Sequence, residues 1–161
     1  MFLACPVAAA VTQWAASLWV VCTGDTPPPV TAPVFLAGDR SEWDPGGGVQ
    51  GLIAWTAFRC AVLYFLWQAR SIITAQPASI AARIIDHLQC LIRADHARVC
   101  VPVTSYARVA GSWLPKRNPL KREHFQGRWT RGQGFCTLTG DHLGVTLSVT
   151  HPIPLPAPIG N

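Results

Sequence analysis

The sequence predicts a mainly α protein of three to four helices with a small C-terminal β-hairpin and a disordered Pro-rich tail. Three observations predict it. Long apolar stretches recur at helical spacing and are separated by Pro- and Gly-rich breakers. One late stretch, 134–149, reads as a hairpin: Val145, Leu147 and Val149 alternate with polar residues and Gly140-Asp141 supplies the turn. The last eleven residues, "HPIPLPAPIGN", hold too much proline for a helix or a central strand.

Each element has a local reason. The first helix is expected from about Pro6 to Cys22. Proline suits a first helical turn, where its missing N–H is not needed. Val7, Val11, Trp14, Leu18 and Val21 form one apolar stripe, and Gly24 is the stop. "DTPPPVTAP" then reads as a stiff linker, followed by a short strand or apolar turn at "VFLAG" and a breaker at "DPGGG". The second helix, about Gln50 to Ser71, is apolar almost all round and is expected at the centre. Arg59 and Arg70 share one of its faces. The third helix, about Ala78 to Val99, buries Ile80, Ile84, Leu88, Leu91 and Ile92. Arg83, Asp86, Arg93 and Asp95 lie outside that stripe. A short fourth helix begins at Pro119 with Asn118 as its cap, and Leu120, His124, Phe125 and Trp129 form its inner side.

The chain of 161 residues is long enough for one domain with a real core. Half of its residues are apolar and 13% are charged, against roughly 25% in ordinary soluble domains. The net charge of +5 is unevenly spread. Residues 1–58 carry one Arg against four acids; residues 59–161 carry twelve Lys or Arg against four. That asymmetry points to an anionic partner for the C-terminal half, RNA or DNA first. Between Arg108 and Arg131 stand seven basic residues and one acid, interleaved with Trp113, Phe125 and Trp129. Lys and Arg neutralise phosphates, and exposed aromatic rings stack on unpaired bases. The aromatics are read in the first place as core anchors.

No active site is legible. The five histidines form no i, i+4 pair and no H-E-x-x-H, and the acids are too scattered to hold catalytic magnesium. G-x-S-x-G, G-x-x-x-x-G-K-[ST] and G-x-G-x-x-G do not occur. The six cysteines, with no C-x2-C spacing, read mainly as reduced core residues. Lys and Arg are missing before Arg40, which argues against a signal peptide. Arg59 splits the best candidate membrane span. An intracellular location, nucleus or cytoplasm, is therefore expected over a secreted one, and a membrane partner or a small-molecule substrate is not expected.

"FLACPVAAAVTQWAASLW" resembles the end of the zinc-binding region that follows the polymerase domain of non-LTR (LINE-type) retrotransposon reverse transcriptases. Phe2, Leu3, Cys5, Pro6 and Trp14 match its "hydrophobic-x-C-P" stretch and the Trp-bearing helix behind it. "GDRSEWDPGGG…LIAWTAFRCAVLYFLWQAR" looks like the segment that follows, and "FQGRWTRGQGFCTL" resembles the closing part of those frames. The close resemblance covers roughly the first 20 residues. It implies the end of a zinc-binding region at 1–23, a Pro/Gly-rich linker at 24–49, a helical tail with its hairpin at 50–150 and the disordered tail at 151–161. The family's zinc is held by four ligands. Here only Cys5 stands at a ligand position; the His would fall immediately before Met1 and the C-x2-C pair further upstream. A structural zinc needs four protein ligands, so no cofactor is expected in this chain. The chain is thus expected to be a non-catalytic C-terminal fragment of a reverse transcriptase, begun at an internal Met and lacking the polymerase carboxylates of the intact RNA-directed DNA polymerase. Its RNA or DNA contacts are expected at Arg59, Arg70, Lys116, Arg117, Lys121, Arg122, Arg128 and Arg131, and its other partners would be the upstream domains. The alternative is a small helical interaction module using the second helix as a partner surface; a secreted or membrane-associated protein ranks below both.

Overall fold

The computed structural model of the chain describes residues 5–70, 76–100, 106–109, 112–115, 120–139 and 144–148. Four α-helices build it: α1 (Pro6–Thr23), α2 (Gly48–Ala69), α3 (Pro77–Cys100) and α4 (Arg122–Trp129). Two antiparallel hairpins complete it, β1 (Tyr106–Val109) with β2 (Ser112–Pro115), and β3 (Cys136–Thr139) with β4 (Gly144–Leu147). The protein is therefore mainly helical with a small hairpin near its C-terminus, as the sequence predicts. The first hairpin is an addition. Its register pairs Val109 with Ser112 and leaves a two-residue connection, too short to have shown as an alternating pattern in a segment full of Pro and Lys.

α1 starts at Pro6 and stops at Gly24, whose φ of 73° is left-handed and whose N–H donates to Val20 O at 2.8 Å. Val11, Trp14 and Leu18 are buried as the stripe predicts. Val21 is not; it is half exposed. Trp19 takes its place, fully buried. It sits edge-on to Trp55 at 5.1 Å and contacts Trp43, Phe58 and Phe135 at 5.7–6.4 Å between centroids. Trp55 in turn meets Phe35 at 5.4 Å and Trp43 at 4.8 Å. Edge-to-face rings at these separations add about 0.5–1.5 kcal/mol each beyond the area they bury. Trp14 and Trp19 bury indole N–H groups that find no hydrogen-bond acceptor among the described residues, a cost of about 1–3 kcal/mol apiece that this packing must offset.

Residues 24–49, read from the sequence as a linker, line this core. A single π-helical turn, Pro33–Ala37, buries Val34 and Phe35. Trp43 is buried too, and its indole N–H donates to Thr26 O at 3.2 Å. α2 packs against α3, α4 and α1. Its inner face holds Ala54, Trp55, Phe58, Val62, Phe65 and Leu66. Its opposite face, apolar as well, is exposed at Val49, Ile53, Tyr64 and Trp67. α3 buries Ile80, Ile84, Leu88 and Ile92, with Leu91 partly covered.

α4 begins at Arg122, capped by Lys121, rather than at Pro119. Extended Lys121 (φ −65°, ψ 140°) delays the helix by three residues. Phe125 and Trp129 are buried, and Leu120 docks before them. His124 lies half exposed instead. After α4 the chain turns sharply onto the end of α1. Gly134 N–H donates to Cys22 O at 2.7 Å. Gly132, at φ 66°, lies so close to Thr23 O that any Cβ there would overlap it. β3 and β4 pair Cys136 with Leu147 and Leu138 with Val145, setting these residues toward the core. The expected turn at Gly140-Asp141, Val149 and the tail from His151 onward lie outside the described residues.

Candidate nucleic-acid interface

The cations expected to meet nucleic acid divide into two groups. Three are turned inward. Arg59 reaches from α2 to the π-turn, where Nη1 donates to Phe35 O at 2.7 Å and to Leu36 O at 3.0 Å. Arg128 lies against α3, donating from Nη1 to Asp95 Oδ2 at 3.1 Å and from Nε to Gln50 Oε1 at 2.7 Å. Its side chain is 14% exposed and that of Asp95 16%. Arg131 pairs with Asp25 and donates to Pro45 O at 2.7 Å. Each of the three fastens one segment to another by donating to the protein's own oxygens, although Arg59 Nε is buried without a partner among the described residues.

Asp95 is the centre of one such joint. Besides Arg128 it accepts from Trp129 Nε1 at 3.0 Å and from Arg98 Nη1 at 3.1 Å. The sequence placed it on the outer side of α3. Helical periodicity could not show that α4 lies across that side and converts an apparently solvated acid into the acceptor for three donors.

The other group faces outward. Lys121 and Arg122 are exposed at the start of α4. Lys121 has only a long contact of 3.8 Å to exposed Glu123, worth little in water. Both cations sit at the positive end of a helix, where a cation costs a few tenths of a kcal/mol, up to about 1 kcal/mol, and an anion is welcome. Arg70 is exposed at the other end of the molecule's longest apolar helix, its guanidinium 4.4 Å over the Trp67 ring. Lys116, Arg117 and the side chains of Arg108 and Trp113 lie outside the described residues. Of the interleaved aromatics, Phe125 and Trp129 are core anchors and offer no ring to a base.

Other chemistry finds no seat among the described residues. Cys5 is exposed beside the start of α1. No group of three His, Cys, Asp or Glu comes together there or elsewhere among the described residues. The reading of the cysteines as core residues holds for Cys22 and Cys136 and fails for Cys5, Cys60 and Cys90, which are exposed. Burial pushes the Cys22 and Cys136 thiols up to about 12, which keeps them protonated and poor as nucleophiles or ligands. An open groove of about 620 Å³ between α2 and α3 is lined by Cys60, Tyr64, Phe65, Gln68, Arg83 and His87 among others. Arg83 donates to Gln68 at 2.9 Å and Gln68 to the Tyr64 hydroxyl at 2.6 Å, while His87 stands edge-on to Phe65 at 5.7 Å. That arrangement pairs no nucleophile with a base.

α1 and α2 are each long and apolar enough to cross a membrane by length and composition, but 56% and 44% of those stretches are buried inside the fold. The fold and site define a mainly helical unit with an aromatic core and an outward basic corner. Comparison with protein-family models, curated proteins and solved structures gives no match.

Proposed function

We propose that this chain is a non-catalytic nucleic-acid-holding tail, of the kind that follows the polymerase domain in non-LTR retrotransposon reverse transcriptases, and that it grips RNA or DNA through the basic sequence stretch 116–122, of which Lys121 and Arg122 are described. The single observation behind the binding role is the division of the cations. The acids Asp25 and Asp95 are spent on Arg131 and Arg128, whereas Lys121 and Arg122 stand exposed at a helix N-terminus next in sequence to Lys116 and Arg117. Phosphates there would gain from both the side chains and the helix end. The assignment to a reverse-transcriptase tail rests on the residue pattern around Cys5, Pro6 and Trp14.

The test is a titration of fluorescent single-stranded RNA and double-stranded DNA at several salt concentrations. Replacing Lys116, Arg117, Lys121 and Arg122 by Gln is expected to lower the slope of log K against log salt by about 3 for single strands. Absence of binding by the unaltered chain at low salt would overturn the role.

A further inference from the structure

We propose that two copies of this chain pair antiparallel through the outer face of α2. Opposite its buried face the helix carries Val49, Ile53, Thr56, Cys60, Tyr64 and Trp67, spaced 4-3-4-4-3. That spacing keeps all six on one stripe along a helix about 33 Å long. The large side chains on it are well exposed: Val49 69%, Ile53 37%, Tyr64 50% and Trp67 53%. None of the six is itself charged, and the Arg70 guanidinium lies over the Trp67 ring at the C-terminal end of the stripe. The one cation within the length of the helix, Arg59, is drawn aside onto the carbonyls of Phe35 and Leu36. A continuous uncharged stripe on the outside of a small protein marks an interaction surface.

The stripe is complementary to itself. Reversed about position 58, the spacing sets Val49 opposite Trp67 and Thr56 opposite Cys60, with Ile53 falling within one residue of Tyr64. Small faces large at the ends and small faces small at the middle, as interdigitating helices require. The same two-fold axis brings Arg70 of one copy to the turn before α2 of the other, where Asp44 is exposed. Among the described residues no carboxylate pairs with Arg70 and no cation pairs with Asp44; Asp44 only accepts from Gly46 N–H at 2.9 Å. Two opposite charges left open at the two ends of one stripe meet twice in an antiparallel pair. A parallel pair would bring Arg70 against Arg70. One helix face is at the small end of stable interfaces, so the pairing is expected in the micromolar range.

Sedimentation of the full chain across micromolar concentrations is expected to show the mass moving from 17.4 kDa toward twice that. Ile53→Glu and Trp67→Glu, each checked for helicity, are expected to hold the chain at the lower mass. Independently, Thr56→Cys in a background with Cys5→Ser, Cys90→Ser and Cys100→Ser is expected to give a disulfide-linked dimer on mild oxidation, through Cys60 of the second copy. The background alone is expected to give none. The lower mass at every concentration without the cross-link would overturn the proposal, whether the chain then binds vesicles, another protein or nothing. Cross-linking of the background through Cys60 alone would overturn the antiparallel register, and a dimer that survives Ile53→Glu would overturn the face.

Discussion

Arg128 lies in the last turn of α4 and Lys121 at its N-cap, and both carry the same charge, yet they do different work. Arg128 is held between Asp95 and Gln50 with its side chain 14% exposed; the Lys121 side chain is 74% exposed and holds nothing closely. A count of basic residues treats the two alike. What separates them is whether the fold supplies an acceptor, and that is decided by which elements cross, not by the local sequence. The lesson is that the basic half of this chain contains fewer cations for a partner than its charge suggests. Among the described residues, Lys121 and Arg122 are left over side by side at the start of α4.

The sharpest break of that comparison is Asp95→Ala. It leaves Arg128 partly buried without its counter-ion and Trp129 Nε1 without its acceptor, and urea unfolding is expected to show a loss of about 2–3 kcal/mol. RNA binding at the basic corner is expected to survive in the folded fraction. Alkaline pH tests the core beneath both cations. The thiols of Cys22 and Cys136 are held protonated when folded, up to about 12, against 9.0 when unfolded. The unfolded chain therefore releases those protons first. Stability is expected to be intact below pH 9.0 and to fall progressively as pH rises from there toward 12. Thermal unfolding of the unaltered chain beside Cys22→Ala and Cys136→Ala, whose slopes above pH 9.0 are expected to be shallower, checks it. Next is Arg131→Gln, which uncouples Asp25 and Pro45 from the turn after α4; about 1 kcal/mol is expected in the same unfolding experiment. Smallest in stability is Lys121→Gln with Arg122→Gln. These surface changes are expected to stay within about 0.5 kcal/mol of the unaltered chain.

Much of the architecture is legible because it rests on periodicity. Val11, Trp14 and Leu18, or Ile80, Ile84, Leu88 and Ile92, announce both a helix and its inner side, and Leu138, Val145 and Leu147 announce a hairpin. What is not legible depends on long-range contact. Trp43 stands among Pro, Gly and acids, where nothing local says that it will reach Trp19 and Trp55. Asp95 looks solvated until α4 crosses α3. Val21 falls on the predicted stripe of α1 but is half exposed, and Trp19 takes the centre because α2 approaches from its side. The candidate site follows the same rule. The cluster 116–131 is visible as a run of Lys and Arg. That Arg128 and Arg131 are used internally needed Asp95 and Asp25, 33 and 106 residues away.

The division of the cations is tested most directly by one paired titration: single-stranded RNA affinity against salt for the unaltered chain and for the chain with Lys116, Arg117, Lys121 and Arg122 replaced by Gln, with the unfolding midpoint of each measured in the same buffers. The account predicts a slope shallower by about 3 for the altered chain and an unchanged midpoint. An unchanged slope, or a slope that falls only because the altered chain has lost its fold, would contradict it.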